Sequence, residues 1–554
     1  ARKHRSGTGP ASLRLAAEEA RAMKWIGALF AVGMPSMLLA QPGLFPLSRS
    51  MEAPYAAVMH RYKVDRHTAV RPYLRSDLAT LPGSDSLPSE GVLPFLDRWA
   101  GKDSSRFRGG PLLDLNGGLS SGRTVHETYR LGAGFWAEAA PHRSLTLHVD
   151  GMAWSERFPE HLDSLVQAVS ISPGEGYAYG SAPAYLHYDW NAHVNWTTSR
   201  FFNITVGRGK NFWGEGYRSL MLSDNAYSYP YLRIATTFWK VRYVNLYALM
   251  DDIRGADGVT SGFRKKATSM HYLSCNIHPR INFGLFEAVV WQTNDPDRPR
   301  GFDFNYWNPV IFYRPLEFGL GSPDNAILGF ALNVKAGRNS LFYGQLVLDE
   351  FLLREVRGGT GWFANKQGFQ VGWVGYEVFQ LRGLDVRAEF NYVRPFMYTH
   401  SDTRQNYAHF NQPLAHPYGS NFYEALAMVD WRKGRWSFRE HVAVAVMGVD
   451  TGAFSWGSDI YRPENDRPTR DEEGRLENYN YYLADPVQAT LFTNEVRAAY
   501  AISERGGLRL EAAYQFRSWV PESGRTLVQS WFRLGVVALL RDHNSDQQVR
   551  AVLP

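Results

Sequence analysis

The chain has a single cysteine, Cys275, in 554 residues. No intramolecular disulfide and no paired-cysteine metal site is open to it, and a lone cysteine reads as a small buried or lipid-facing residue. Charge of one sign is also scarce. The formal net charge is only +6, and Lys and Arg are scattered rather than gathered into a stripe, so the footprint of a nucleic-acid binder is absent. Beyond residue 41 there is no run of 18 or more apolar residues, which excludes a helix long enough to cross a bilayer. HExxH, GxSxG and phosphate-loop motifs are missing too, so no catalytic residue, metal or cofactor is expected.

What is abundant is aromatic surface: 30 Tyr, 32 Phe and 17 Trp. Such an excess suits a large sheet or the aromatic belts of a membrane barrel. Near the start, Met23-Lys24 leads into an apolar run from Trp25 to Leu39 and then Ala40-Gln41. One positive charge, an apolar stretch and a small residue before the break read as a secretory signal peptide over 23–40, with 1–22 an extension upstream of a start at Met23. A cytosolic leader is the alternative. No cysteine follows the run directly, so a lipoprotein is not expected. An exported chain that sits in a membrane without spanning helices has one other way to satisfy its backbone in lipid, a closed β-barrel.

The pattern agrees. In 384–392, Leu384, Val386, Ala388, Phe390 and Tyr392 alternate with Asp385, Arg387, Glu389 and Asn391. In 508–517, Leu508, Leu510, Ala512, Tyr514 and Phe516 alternate with Arg509, Glu511, Ala513, Gln515 and Arg517. A period of two with one charged face is a half-buried strand, and charges this dense suit a wet lumen with the apolar face to lipid. Eight paired segments turn near Pro141-His142-Arg143, Thr198-Ser199, Trp239-Lys240, His278-Pro279-Arg280, Lys335–Arg338, Arg382-Gly383, Lys433-Gly434 and Glu504–Gly506, where polar residues, Gly or Pro suit hairpins. A last strand over roughly 526–540 and one hidden before 127 bring the expectation to about 16–18 strands. The connections between hairpins are longer and polar, as in 293–301, 399–411 and 455–486; short turns are expected at the periplasmic end. The expected organisation is therefore an N-terminal periplasmic or lumenal segment at 41–126, a large antiparallel all-β transmembrane barrel at 127–540 and a tail at 541–554. Within 41–126, Ala53–Arg61 and Pro72–Leu78 suit helices, with each proline in a first turn.

One motif stands apart: Gly207-Arg208-Gly209-Lys210-Asn211-Phe212-Trp213-Gly214-Glu215-Gly216-Tyr217-Arg218, running on through Ser219 to Ala226. It resembles the WWGPG…SLILSNNA signature of the Wzi family of outer-membrane capsule-assembly proteins, with Glu215 where that signature has proline. The segments Ser322–Gly329, Leu341–Phe351 and Asn391–His400 are similar to the Bacteroidetes branch of that family, the RemB-like gliding motility proteins. The resemblance spans roughly 185–425. It implies an 18-stranded, non-catalytic, lectin-like barrel that holds capsular polysaccharide at the cell surface, among outer-membrane lipids and lipopolysaccharide.

Sugar recognition wants aromatic faces together with carboxylate, amide and guanidinium groups. The candidate polysaccharide-binding residues are Asn211, Trp213, Glu215, Tyr217, Arg218, Asp224 and Asn225, with Arg394, Tyr398 and His400 from the later segment. A structural role competes at each: belt aromatics, turn glycines and lumen charge networks need no ligand. Two other functions stand beside capsular or exopolysaccharide binding: a part in gliding motility or secretion machinery, with proteins of that machinery as partners, and a diffusion channel. Hydrolysis would need two free carboxylates at a fixed separation. Adjacent Asp349 and Glu350 would point to opposite faces of a strand, while Glu389 and Glu511 are expected to pair with Arg387 and Arg509.

Overall fold

The structure, a computed structural model, describes residues 43–61, 66–81, 107–256, 258–294, 301, 303–309, 324–503 and 507–542. The expected extension at 1–22, the signal peptide at 23–40 and the tail from 543 onward lie outside the described residues. No described helix is long and apolar enough to cross a membrane.

Eighteen antiparallel strands close into one barrel. They are β1 (Phe107–Ser121), β2 (Val125–His142), β3 (Leu145–Arg157), β4 (Ala184–Thr197), β5 (Phe202–Gly209), β6 (Tyr229–Phe238), β7 (Val241–Asp252), β8 (Arg264–His278) and β9 (Ile281–Gln292). The series continues with β10 (Asn325–Ala336), β11 (Ser340–Leu348), β12 (Gln367–Gly375), β13 (Leu384–Val393), β14 (Phe422–Lys433), β15 (Trp436–Val449), β16 (Val487–Ala501), β17 (Arg509–Pro521) and β18 (Leu527–Ala538). Each pairs with its neighbour in sequence, and β1 closes on β18 from Leu113↔Ala538 to Ser121↔Ser530. The strands flanking all eight expected turns pair, the turn at 504–506 itself lying outside the described residues, and the strand before 127 is β1. The barrel thus begins at Phe107, ahead of the expected 127. Gly109, Gly110, Pro111, Gly117 and Gly118 break the apolar alternation of β1, which is why its period is weak in sequence.

The alternation sorts as expected of a barrel in lipid. On β17, Leu510, Tyr514 and Val520 are exposed while Glu511, Gln515, Arg517 and Trp519 are buried on the other face. Cys275 lies half-buried on β8, in step with Leu273 and exposed Ile277 on the outer face. A polar cluster interrupts the apolar outer wall at β8 and β9. Residues 303–309 lie over β8 and β9, where the Ser269 hydroxyl donates to the Tyr306 carbonyl (2.6 Å) and Trp307 stacks on Tyr247 at 5.3 Å. Beneath them Ser269, His271 and Glu287 are fully buried.

The lumen is filled from within. Helices α1 (Arg49–Arg61) and α2 (Arg75–Ala79) occupy the two helix-compatible stretches of the N-terminal segment, but neither proline sits in a first turn. Pro72 precedes α2, which starts only at Arg75 after the extended Leu74, where Arg75 N still donates to the Gly43 carbonyl (3.0 Å). Pro54 lies in the second turn of α1 rather than its first; α1 starts earlier because the Ser48 carbonyl already accepts from Glu52 N (2.9 Å). The connection 394–421, which contains the polar stretch expected at 399–411, also turns inward, since Met397, Tyr398, Tyr407, Leu414 and Ala415 join the principal apolar cluster beside Trp213 and Leu220. After β18 the chain continues into the lumen: Arg541 pairs with Asp150 (2.7 Å) and with Asp189, and Asp542 accepts from Ser50 N (2.9 Å). The run-on past the last strand thus ties the wall to α1.

Candidate functional site

Residues 210–228 form no outward loop. They descend into the barrel, and Phe212-Trp213 pairs antiparallel with Val70-Arg71 of the N-terminal segment. Trp213 N donates to the Leu222 carbonyl (2.9 Å) and Gly214 N to Ala69 (2.8 Å). Gly214 has φ +129°, and a β-carbon there would collide with the Gln345 side-chain amide, so the position favours glycine. Glu215, where the resembled signature has proline, accepts from the Thr68 hydroxyl and lies 4.0 Å from His60. The two segments therefore form one plug.

The wall holds this plug by its backbone. Glu389 accepts from Tyr217 N (2.7 Å), Arg218 N (3.0 Å) and the Tyr343 hydroxyl (2.8 Å). The expected Glu389–Arg387 pair is not made; Arg387 donates instead to the Glu215 carbonyl at 2.9 Å, because the descending loop offers backbone amides to the carboxylate and carbonyls to the guanidinium. Glu511 does pair with Arg509 (3.3 Å). Arg218 pairs with fully buried Glu424 (3.2 Å), which also contacts His416 at 2.8 Å. Tyr398 donates to the Leu220 carbonyl (2.7 Å), and Arg49 to that of Tyr217 (2.5 Å), its guanidinium 4.3 Å over the Tyr217 ring. Asp349 and Glu350 follow β11 directly, and buried Lys366 lies 3.5 Å from Glu350 and 2.6 Å from Glu464. Burial also shifts titrations within the plug. It pushes Glu52 up to about 7, against the pull of Arg71 and Arg49, and His60 down to about 4, against Glu215.

The structure gathers Asn211, Trp213, Glu215, Tyr217, Arg218 and Tyr398 into the plug, where all are buried. Trp213 is fully enclosed, edge-on to Phe286 and tilted against Tyr272. Asp224 faces a polar lumen cavity beside Lys210 and Arg541. Arg394 donates to the Tyr481 carbonyl (3.1 Å), and His400 Nδ1 accepts from Asp402 N (3.3 Å); these two are not brought to the others. Among the described residues, Glu156, Glu175 and His187 have donor atoms within 4.8 Å of one another. Arg130 hydrogen-bonds both carboxylates, so a guanidinium already stands where a metal cation would.

A second feature lies at the end of the barrel where the long connections are. A cavity of about 670 Å³ is bounded by helix α3 (Glu160–Val169), by 253–255, 411–419 and 448–462, and by the end of β17. Its lining includes Tyr177, Tyr418, Tyr461 and Trp519, the amides Asn225 and Gln412, and Asp450, Asp459, Arg254 and Arg462. The size falls within the roughly 300–1,000 Å³ usual for small-ligand sites. Only Asn225 of the expected residues borders it. Tyr418, Tyr461 and Trp519 were missed because four separate connections converge on them, and no local spacing marks that convergence.

The closed barrel with its inward plug defines the fold class, that of large antiparallel transmembrane β-barrels. No protein-family model matches the chain. No curated protein sequence matches it either. Among solved structures it is similar to Wzi of Escherichia coli, an outer-membrane protein involved in group 1 capsule assembly and a carbohydrate-binding β-barrel, at 14% identity and TM-score 0.53, over 89% of this chain and 99% of that one. Pseudomonas aeruginosa OccK8 (OprE) aligns at 9% identity and TM-score 0.41, over 78% of this chain and 97% of that one. OprD of the same organism aligns at 10% and 0.39, over 78% and 95%. The likeness to Wzi shows a shared fold.

Proposed function

We propose that this chain is exported to the outer membrane of a Gram-negative bacterium, where it holds capsular or exopolysaccharide at the cell surface without catalysis. The observation that carries the proposal is the combination of a plugged lumen with an aromatic and polar cavity at the long-connection end. A plug built from two chain segments and tied to the wall opposes a diffusion channel. The cavity offers the ring faces and the amide, carboxylate and guanidinium groups that sugar hydroxyls and acidic sugars engage. The similarity to a carbohydrate-binding barrel and the Wzi-like motif support the same reading. In it, short turns face the periplasm and the cavity faces outward. Asn225 lines the cavity, while Asn211, Trp213, Glu215, Tyr217, Arg218 and Tyr398 build the plug beneath it. Against hydrolysis, Glu389, Glu424 and Glu511 are each engaged by amides or guanidinium groups, which leaves no free acid pair among them.

The test is retention of the purified, detergent-solubilised protein on immobilised exopolysaccharide from its own host, with Asn225→Ala plus Tyr461→Ala as the cavity variant. Retention by wild type that the variant loses, with heat-modifiable migration intact, supports the reading. Folded wild type that is not retained overturns it in favour of a motility or secretion role.

A further inference from the structure

Arg517 stands on the lumenal face of β17 with 1% of its surface exposed. None of its three guanidinium nitrogens has a hydrogen-bond partner among the described residues, and no ion pair is made to it there. Several other lumen arginines are paired. Arg130, Arg218, Arg533 and Arg541 each hold a carboxylate within pairing distance. A buried guanidinium without a counter-charge costs several kcal/mol.

The side chains around Arg517 share the feature. Its cross-strand partner Thr493 has an unsatisfied hydroxyl, Gln515 two positions earlier has an unsatisfied amide at both ends, and Trp519 two positions later has a free indole N–H. With a period of two these side chains line one face, and all four are buried. Trp519 borders the 670 Å³ cavity. Tyr418, which borders the same cavity, is close enough to Arg517 to act on its charge. One strand pair, which borders the cavity at Trp519, therefore presents a cation, several donors and an aromatic ring with no protein acid among them. The acids of the cavity wall are held by backbone N–H groups rather than by Arg517: Asp450 accepts from Trp456 N and Ser458 N (3.1 Å each), and Asp459 from Tyr461 N (2.9 Å).

We propose that Arg517, Gln515, Thr493 and Trp519 form an anionic subsite at the base of the outer cavity, which takes the carboxylate of a uronic acid residue in the bound polysaccharide. The guanidinium receives the carboxylate through paired N–H donors, and Gln515 and Thr493 take the ring hydroxyls. This inference rests on the polysaccharide-holding reading and gives it a substrate class, an acidic rather than a neutral glycan.

The full-length barrel in detergent is titrated with an oligogalacturonate, with a neutral malto-oligosaccharide and with diphosphorylated lipid A, using wild type, Arg517→Gln and Arg517→Lys. The expected result is salt-sensitive binding of oligogalacturonate by wild type, weakened roughly tenfold to hundredfold in Arg517→Gln and partly kept in Arg517→Lys, with any maltose-series binding unchanged. Without ligand, Arg517→Gln is expected to melt above wild type, because an uncompensated charge has been removed, and oligogalacturonate is expected to raise the melting point of wild type alone. Equal oligogalacturonate binding by wild type and Arg517→Gln overturns the subsite, as does a lower melting point of unliganded Arg517→Gln, which would mark a structural arginine. Lipid A displacing oligogalacturonate through Arg517 assigns the site to a lipid phosphate and overturns the saccharide assignment. Retention on the host polysaccharide that is indifferent to Arg517→Gln leaves the holding role standing and removes this inference alone.

Discussion

At the scale of single residues, the lumen is governed by the rule that a buried charge needs its partner. Glu424 is fully buried between Arg218 and His416, so Glu424→Gln strands a guanidinium. We expect about 3–5 kcal/mol of lost stability, visible as a lower temperature for the heat-modifiable shift; an unchanged shift would show that Arg218 finds another acceptor. Glu52 is the opposite case, a carboxyl that burial has pushed up to about 7. Its folded value lies above its unfolded value of 4.5, so the folded state binds more protons between the two, and this group's contribution falls as pH rises from about 4.5 to 7. Glu52→Gln removes that slope. The stability difference between variant and wild type should move in the variant's favour from pH 5 to pH 7.5 and then flatten, as read by thermal unfolding across that range. A pH-independent difference would place Glu52 in a wetter environment than the structure gives it.

At the scale of elements, the decisive piece is the 210–228 segment and its two-residue ladder with Val70-Arg71. Gly214 makes the turn that lets both segments meet, at φ +129° and against Gln345. Gly214→Ala should cost about 1–3 kcal/mol from backbone strain alone and should expose the plug to limited proteolysis while the strands stay protected. Proteolysis confined to loops in both proteins would contradict the role given to this turn. The hairpins themselves were legible from sequence, since each pairs two alternating segments across a short polar turn. The inward course of 210–228 and 394–421 was not. Tyr398 and Tyr407 read equally well as loop aromatics until their burial against Leu220 and Met221 is seen.

At the scale of the whole molecule, the plug, the wall and the run-on after β18 are one tied structure through Asp542–Ser50 and Arg541–Asp150. The intact protein is therefore expected to be silent in planar bilayers, and a variant lacking residues 49–81 to conduct in large steps. Steady conductance by the intact chain would overturn the closed lumen and revive the diffusion-channel reading.

The sequence by itself determined the wall. A period of two needs only neighbouring residues, so alternation, turn chemistry and the missing apolar helix led to a closed antiparallel barrel, and to polar-in, apolar-out strands. It also placed Arg517 on the polar face. Which connections turn inward depends on contacts between residues far apart in the chain, such as Tyr398 with Leu220 and Glu389 with the amides of Tyr217 and Arg218. The absence of a partner for Arg517 among the described residues depends on such contacts too. Only the tertiary structure decided those, because satisfaction of a buried polar group is a property of everything around it and leaves no local period to read.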